Sequence, residues 1–471
     1  MSVSSKKVSV IGAGVGGMAI AIRLAVKGYK VSVFESNSYV GGKLSQIESG
    51  DFRFDAGPSL FTMPELVDEL FQLANKDPRE FFNYQKLDES CRYFYEDGTH
   101  IIGYTDPQKF AEESAEKTGV DASAVLKHLK KSQFIYDSTA FLFLQKSLHS
   151  IKTYLSLKVL KSFLKLPFLG VFGSMHSANH NALSNDKMVQ LFDRYATYSG
   201  SDPRKAPAVL STIAFVEESF GAWHVKGGLG QLTATVYQRA LDVGVKFHLD
   251  SPVSAINTAG KKVTGVTLSD GTVVEADVVV ANADASLVYN KLITGNKSAL
   301  KKARKNIEKA DVSVAGFSLL LGMRKDPDQV LNHHTILFPE NYDAEFDAIF
   351  TDGKPVEKPT IYICAPQDPA MSKDETLEGW FVLVNAPTHG QFDWGDKEFA
   401  RNYANTIIDQ IEARGISVRD RLESLTVRTP ADLEAAVLAP GGAIYGTSSN
   451  GARAAFMRAK NRSPIKGLYL V

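Results

Sequence analysis

The sequence predicts an α/β protein in which an open parallel sheet is interleaved with a second, α+β domain. Three observations carry this prediction. A strand, a glycine turn and a helix follow one another from Val8 to Gly28. A run typical of a buried parallel strand occurs at Ala276–Ala283, and a last strand pattern occurs at Lys466–Val471. Since the sheet is completed more than 200 residues after it begins, the intervening segments must form an inserted domain.

Length and composition narrow the function classes. The chain has 471 residues, which suggests two to four domains at about 100–200 residues each. Lys plus Arg and Asp plus Glu both number 53, so no basic excess indicates nucleic-acid binding. Cys91 and Cys364 have no companions at ligand spacing, so we expect no metal site and no disulfide framework.

The first element resembles a phosphate-binding turn. Val8, Val10 and Ile11 run directly into Gly12–Gly17, and an apolar helical pattern follows. Gly12 permits the turn, Gly14 leaves room for a pyrophosphate, and Gly17 allows close packing of helix on strand. The helix N-terminus then faces the anion. A glycine turn that binds nothing is the alternative.

The next strand ends in an acid at the required distance. Lys30–Phe34 reads as a second strand and Glu35 follows it, 21 residues after Gly14. A carboxylate there can accept hydrogen bonds from both ribose hydroxyls of an adenosine, and it disfavours a ribose phosphate. The pattern predicts a Rossmann-type dinucleotide site.

Two further glycine motifs lie within the first 58 residues. Gly41–Lys43 and Asp55–Pro58 bracket a short polar stretch that a nicotinamide domain does not need. The ordered set resembles the large flavoprotein group that includes amine oxidases and carotenoid desaturases. Plain loop turns are the alternative for these glycines.

One segment is basic and free of acids. From Ser138 to Asn185 there is no Asp or Glu in 48 residues. A helix over 146–166 would place an apolar face opposite several lysines, which favours a helix lying in an anionic membrane surface. A core-facing helix with a solvated back is the alternative. No run of apolar residues is long enough for a transmembrane helix or a secretory signal, so we expect a cytoplasmic protein.

The pattern also assigns domain boundaries. Residues 1–70, 220–285 and 430–471 are predicted to form the dinucleotide-binding domain, and residues 71–219 and 286–429 the substrate and membrane-facing domain. Within the latter, His333 and His334 are adjacent on a predicted strand, where side chains face opposite ways. We therefore expect them to be structural rather than metal ligands.

The assembled residues resemble the bacterial carotenoid desaturase family over essentially the whole chain, most closely its branch of 1-hydroxycarotenoid 3,4-desaturases. The matching blocks are Val10–Gly17, Glu35, Gly41–Lys43, Asp55–Pro64, Trp223–Leu229, Ser251–Val253, Ala276–Ala283, His333–Ile336 and Phe346–Phe350. Phytoene desaturases share most of these blocks, so a multistep phytoene desaturase, or another carotenoid desaturase or isomerase, stays open as an alternative.

The resemblance implies an FAD enzyme that transfers hydride from an acyclic carotenoid to flavin N5 and so inserts a double bond. It implies roles for the glycine loop at the pyrophosphate, for Glu35 at the ribose, for Val253 near the adenine and for Pro58 and Ser59 near the isoalloxazine. No acid–base pair stands out, and His224 is the single, weak candidate for polar contact with substrate. The expected cofactor-binding residues are Gly12, Ala13, Gly14, Gly16, Gly17, Glu35, Ser36, Gly41, Gly42, Lys43, Asp55, Gly57, Pro58, Ser59, Val253 and Asn282.

The resemblance also implies partners. A carotenoid resides in the bilayer, which favours peripheral contact through about 138–175 at the inner face of the cell membrane. Oxygen or a membrane quinone would accept the electrons. The rival activities are a flavin amine oxidase and a non-catalytic prenyl-protein escort. In the family the strand at Lys466–Val471 leads into a closing helix, so we expect the chain to be truncated and to bind FAD better with roughly 20–30 further residues.

Overall fold

Two sheets organise the molecule. The computed structural model describes residues 6–471 apart from 74, 147–152, 154–164, 166–168, 171–172 and 453. Within this part, a five-stranded parallel sheet and a seven-stranded mixed sheet are joined by helices and by smaller strand pairs. The predicted α/β class with an interleaved second domain is confirmed.

The parallel sheet is assembled from distant parts of the chain. Val8 pairs with Val278 on one side and with Val31 on the other. The β-branched side chains of these strands are buried because helices and a small sheet cover both faces. The strand order is Leu468–Leu470, Val278–Ala281, Lys7–Ile11, Lys30–Phe34 and Lys246–His248.

Helices Val15–Val26, Glu65–Gln72 and Gly228–Asp242 cover one face of this sheet around a shared apolar core. The other face packs against an antiparallel three-stranded sheet. Its strands are Val253–Ala259, Lys262–Leu268 and Val273–Glu275.

The mixed sheet forms the floor of the second domain. Strand Ala315–Arg324 lies inside it and is buried over nine of its ten residues. Phe317, Leu319 and Leu321 pack on the apolar face of helix Lys397–Glu412, so alternation turns Gly316 and Ser318 to the opposite face. The strand order is Leu422–Arg428, Ala315–Arg324, Leu377–Ala386, Ile361–Cys364, His334–Leu337, Glu89–Phe94 and His100–Tyr104.

Helices cover the face of the mixed sheet to which Gly316 and Ser318 point. The charged segment 107–145 forms two helices, because Gly119 adopts a left-handed conformation with φ of 76° and ends the first of them. The covering helices are Pro107–Thr118, Ala122–Gln145, Met175–Leu183, Asp186–Asp193, Arg194–Ser199, Ala208–Ser211, Thr212–Phe215 and Val216–Phe220. Most of the predicted interfacial helix, 146–166, lies outside the described residues.

The remaining elements connect these layers. Two short antiparallel pairs are Gln46–Ser49 with Phe52–Asp55 and Tyr84–Lys86 with Trp223–Val225. Further helices are Lys297–Glu308, Asp343–Asp347, Pro430–Val437 and Ala454–Met457, and π-helical turns occur at Leu287–Leu292 and Ala348–Asp352. In the described part of the chain, every helix is too short or too polar to cross a membrane.

Candidate active site

The two glycine motifs near the N-terminus meet at one point. Gly12 and Gly41 both have positive φ, 91° and 109°, so each turn needs glycine. The N–H of Gly41 donates to the carbonyl of Ala13 at 2.9 Å. A Cβ placed on Gly42 would lie 3.5 Å from the Cα of Gly14, so the loops pack backbone to backbone.

This arrangement fits a dinucleotide phosphate. Helix Val15–Val26 begins at Gly14 and no side chain caps it, so the N–H groups of its first turn are left for an anionic ligand. Gly16 and Gly17 keep side chains out of that turn. A phosphate needs free space at this helix N-terminus, and the glycines of the sequence motif provide it.

Asn282 closes the glycine loop from the neighbouring strand. Its N–H donates to the carbonyl of Ile11 at 2.8 Å. A Cβ on Gly12 would lie 2.5 Å from the Asn282 carbonyl oxygen, and a Cβ on Gly14 would lie 2.7 Å from its Oδ1. Asn282 is therefore in contact with the loop, as the predicted site requires.

Glu35 lies at the end of its strand as predicted, and its carboxylate is buried. Oε2 accepts the N–H of Ala13 at 2.7 Å, and Oε1 accepts the hydroxyl of Ser36 and the N–H of Asn37 at 3.1 and 3.0 Å. The carbonyl of Glu35 accepts from Ser251 at 2.7 Å, which brings the strand starting at Val253 beside the predicted adenosine end.

The structure gives Asp55 a positioning role. Both of its oxygens accept N–H groups at the start of helix Gly228–Asp242, from Leu229 and Gly230, each at 2.8 Å. Burial raises the pKa of Asp55, although these two bonds act against the shift. This contact fixes the backbone that continues to Gly57, where a Cβ would lie 2.3 Å from the carbonyl oxygen of Lys43.

Lys43 is partly buried and bonds to the backbone of a distant segment. Its ammonium donates to the carbonyl of Ile444 at 2.5 Å. Burial lowers the pKa of Lys43, and the charge of Asp284 opposes that shift. The geometry thus gives Lys43 backbone partners near residue 444, while its predicted contact with phosphates stays a prediction.

A cavity of about 550 Å³ lies between the two domains. Gly57, Pro58 and Ser59 form its wall on the side of the parallel sheet. Gly316 and Ser318 belong to its floor on the mixed sheet, with Ile336, Phe381 and Leu383 among the other floor residues. The lining is mainly apolar and aromatic, and the volume lies within the range of small-molecule sites.

One wall of the cavity carries a buried ion pair. Arg194 donates to Glu217 at 2.5 Å and to the hydroxyl of Tyr198 at 2.8 Å, and Tyr198 donates to Glu217 at 2.8 Å. All three residues line the cavity. Tyr93 and Tyr195 complete the group, which we call the arginine cluster, and Glu218 borders it.

Sequence reasoning missed this cluster. Glu217 and Glu218 lie in a π-helical turn, Val216–Phe220, which departs from ordinary helix periodicity. Two adjacent acids at the end of an apolar run were the available signal. Burial, followed by the charge of Glu217, raises the pKa of Glu218 to about 8, so this carboxyl is largely protonated at neutral pH.

A second polar chain leads away from the cavity. Ser59 Oγ lies 2.6 Å from the hydroxyl of Tyr362, which lies 2.7 Å from Nδ1 of His334. The expectation that His333 and His334 face opposite ways is wrong, because their ring centroids are 4.4 Å apart. His333 precedes the strand His334–Leu337, so strand alternation does not apply to it.

Ligand atoms of His333, His334 and Cys364 lie within 4.8 Å of one another. Burial raises the pKa of Cys364 to about 12, so in the protein without a metal ion its sulfur is a thiol. We interpret the three residues as part of the polar chain behind Tyr362.

His224 has a partner outside the cavity lining. Its Nε2 lies 2.8 Å from Oδ2 of Asp368, which also accepts the N–H of Gly227 at 2.6 Å. Burial acts to raise the pKa of Asp368, but the hydrogen bonds from Gly227, Ala370 and His224 lower it overall. The structure thus links His224 to the turn before helix Gly228–Asp242, and a positional role follows.

Comparison with known proteins identifies the family to which the chain belongs. Residues 15–324 match the family described as flavin-containing amine oxidoreductase. A 1-hydroxycarotenoid 3,4-desaturase from Flavobacterium sp. (strain P99-3) is 40% identical over 473 residues, which cover 99% of this chain and 94% of that protein. A 4,4'-diapolycopene oxygenase from Methylomonas sp. is 30% identical, with 99% and 93% covered.

A solved oxidoreductase structure from Methanosarcina mazei superposes with a TM-score of 0.61 at 15% identity, over 99% of this chain and 94% of that one. At this identity the likeness concerns the fold alone. The two sequence relatives, in contrast, are 40% and 30% identical over almost the whole chain and therefore show the family.

Proposed function

We propose that this oxidoreductase, which belongs to the carotenoid desaturase group of the flavin-containing amine oxidoreductase family, is an FAD-dependent carotenoid desaturase. In this proposal it forms the 3,4 double bond of an acyclic 1-hydroxycarotenoid. The observation that carries the proposal is the apolar cavity that begins at Gly57–Ser59 and includes the arginine cluster in its wall. A polyene fits its apolar lining, and a hydroxylated end group fits the cluster.

Particular residues would hold FAD. The first turn of helix Val15–Val26 would bind the pyrophosphate, and Glu35 would accept the ribose hydroxyls in exchange for part of its present hydrogen bonding. Gly57 and Ser59 would border the flavin ring at the cavity wall. When bound, the flavin supplies a hydride acceptor.

The protein's own contribution is orientation and the exclusion of water. Ile336, Phe381 and Leu383 offer an apolar surface along which a polyene lies. Desaturation also releases a proton. The hydroxyl groups of Ser59 and Tyr362, which both line the cavity, are polar groups that this wall offers near the substrate.

We also propose that the protein works as a peripheral protein on the inner, cytoplasmic face of the cell membrane, where carotenoids reside. The acid-free segment 138–185 supports this proposal, and so do the exposed side chains of Leu144 within it and Phe134 just before it. Flotation with anionic and neutral liposomes tests it. We expect binding to anionic vesicles that salt only partly reverses, and protein that stays at the bottom with both vesicle types would refute it.

The deciding experiment for activity is expression in cells that accumulate a 1-hydroxylated acyclic carotenoid, followed by absorbance and mass analysis of the pigments. A product two hydrogens lighter with longer-wavelength absorption supports the proposal. Conversion of phytoene would indicate the multistep desaturase, and an oxygenated end group would indicate an oxygenase like the Methylomonas relative. Parallel anaerobic assays with a quinone, and aerobic assays without one, would identify the electron acceptor.

A further inference from the structure

Resting on the proposed function, we propose that the arginine cluster binds the hydroxyl group of the substrate and so selects hydroxylated polyenes over hydrocarbon ones. The residues assigned to this role are Arg194, Tyr198 and Glu217, which line the cavity. Their contribution is to specificity, since each acts on the end group rather than on the bond that is desaturated.

Burying the charges of the arginine cluster costs free energy. The side chains of Arg194 and Glu217 are only 4% and 3% exposed, so both charges are largely removed from water. A buried ion pair seldom stabilises a protein more than apolar side chains of the same volume would. A hydrocarbon ligand makes no hydrogen bond to a charged wall. A polar group on the ligand can hydrogen-bond to the cluster, which would explain why these polar residues lie at the cavity.

The unused hydrogen-bonding capacity matches a hydroxyl. Glu217 accepts from Arg194 and Tyr198, and the single hydroxyl hydrogen of Tyr195 lies between Glu217 and Glu218, so at least one of about four lone-pair positions of the Glu217 carboxylate stays open. The Tyr198 oxygen accepts one bond from Arg194 and can accept another. The Nε–H of Arg194 is buried without a partner. The cavity-lining oxygens of Tyr198 and Glu217 thus retain acceptor capacity, which the hydrogen of a substrate hydroxyl can use.

The chemistry of the substrate places this contact near the reaction. In a 1-hydroxycarotenoid, one methylene separates the hydroxyl-bearing carbon from the bond that is desaturated. The hydroxyl and the reacting carbons must therefore enter the same part of the cavity. Ser59 and the arginine cluster lie in the wall of that one cavity. Binding the hydroxyl would consequently fix which bond faces Ser59.

The test compares Tyr198→Phe with Tyr342→Phe. Both changes remove one phenol oxygen from a tyrosine that lines the cavity, but Tyr342 takes part in none of the hydrogen bonds described for the cluster. For each protein, kcat/KM is measured with a 1-hydroxylated acyclic carotenoid and with the corresponding hydrocarbon. Dissociation constants are measured in parallel from the change in carotenoid absorbance in detergent micelles.

We expect wild-type protein to prefer the hydroxylated substrate by about 100-fold, which corresponds to a hydrogen bond to a charged group. Tyr198→Phe should lower this ratio about tenfold or more in kcat/KM and in affinity, and Tyr342→Phe should keep the wild-type ratio. Glu217→Gln should lower it further. If that variant fails to fold, Tyr198→Phe still decides, since it leaves the Arg194–Glu217 pair in place.

An unchanged ratio in Tyr198→Phe, or an equal loss in Tyr342→Phe, would overturn the inference. So would wild-type protein that desaturates both polyenes equally well, a result that leaves the desaturase proposal intact. If wild-type protein desaturates neither polyene, the proposed function fails, and the ratio of dissociation constants decides on the cluster by itself.

Discussion

Replacing Gly14 and Gly17 separately by alanine should distinguish the ligand-facing glycine from the packing glycine. A Cβ on Gly17 would lie 2.2 Å from the carbonyl oxygen of Gly12, which is more than 1 Å inside ordinary contact. A Cβ on Gly14 would lie 2.7 Å from Oδ1 of Asn282 and at least 3.8 Å from the next atom, and the Asn282 amide can rotate away. The two substitutions therefore make different kinds of contact.

The magnitudes follow from these contacts. Gly17→Ala forces backbone atoms apart and should lower the free energy of unfolding by about 1–3 kcal/mol. Gly14→Ala should change the stability of the apoprotein by roughly 0.5 kcal/mol or less, as expected where a side chain can adjust. Its Cβ would instead occupy the approach of the pyrophosphate, so FAD affinity should fall about 100-fold, or about 2.7 kcal/mol.

Urea denaturation of the apoproteins and fluorescence titration with FAD measure the two effects. The double variant with Asn282→Ala is the control, because it removes the side-chain contact at Gly14. It should restore any lost stability of Gly14→Ala but leave the loss of FAD affinity. Wild-type affinity for FAD in Gly14→Ala would refute the assignment of this loop to the cofactor.

Three further predictions concern buried titratable groups. Glu35→Gln should weaken FAD binding about tenfold in calorimetry, because a neutral amide offers one acceptor in place of two; unchanged binding would contradict a ribose contact. The pKa of Glu218 is raised from its ordinary 4.5 to about 8, so between these values the folded protein keeps a proton that the unfolded chain loses, and stability falls as pH rises. Urea titrations from about pH 5 to about pH 8 should therefore show Glu218→Gln gaining stability relative to wild type as pH rises. A stability difference that stays constant with pH would contradict this. His128 has both ring nitrogens buried without a partner, and burial lowers its pKa from 6.5 to about 4, so the protein loses stability as pH falls through that interval. The stability of His128→Phe relative to wild type should therefore be greatest at the acid end of the same urea titrations. A stability gain that is the same at every pH would count against this account.

The sequence predicted the parts of the site that local chain geometry determines. Gly12–Gly17, the strand before it and Glu35 are close along the chain, so spacing alone defines their arrangement. The element types of most of the parallel sheet followed from side-chain periodicity in the same way. Boundaries differ by a few residues, as in the last strand, which was expected at Lys466–Val471 and is found at Leu468–Leu470.

The parts that were not predicted depend on tertiary packing. Arg194 and Glu217 are 23 residues apart on irregular helical turns, and neither belongs to a spaced motif. The phenol of Tyr362 meets His334 across neighbouring strands, a contact that depends on strand register. The pairing of His224 with Asp368 spans 144 residues. No local pattern carries information of this kind.

The order of strands in the parallel sheet has a consequence for biosynthesis. Lys7–Ile11 leaves the ribosome about 270 residues before its neighbour Val278–Ala281, with which Val8 pairs. At about 5–20 residues per second, one edge of this valine-rich strand waits roughly 15–55 s for that partner. During that time it is an unpaired β-edge open to aggregation, so the yield of folded protein should depend on translation rate and on chaperones that shield nascent chains.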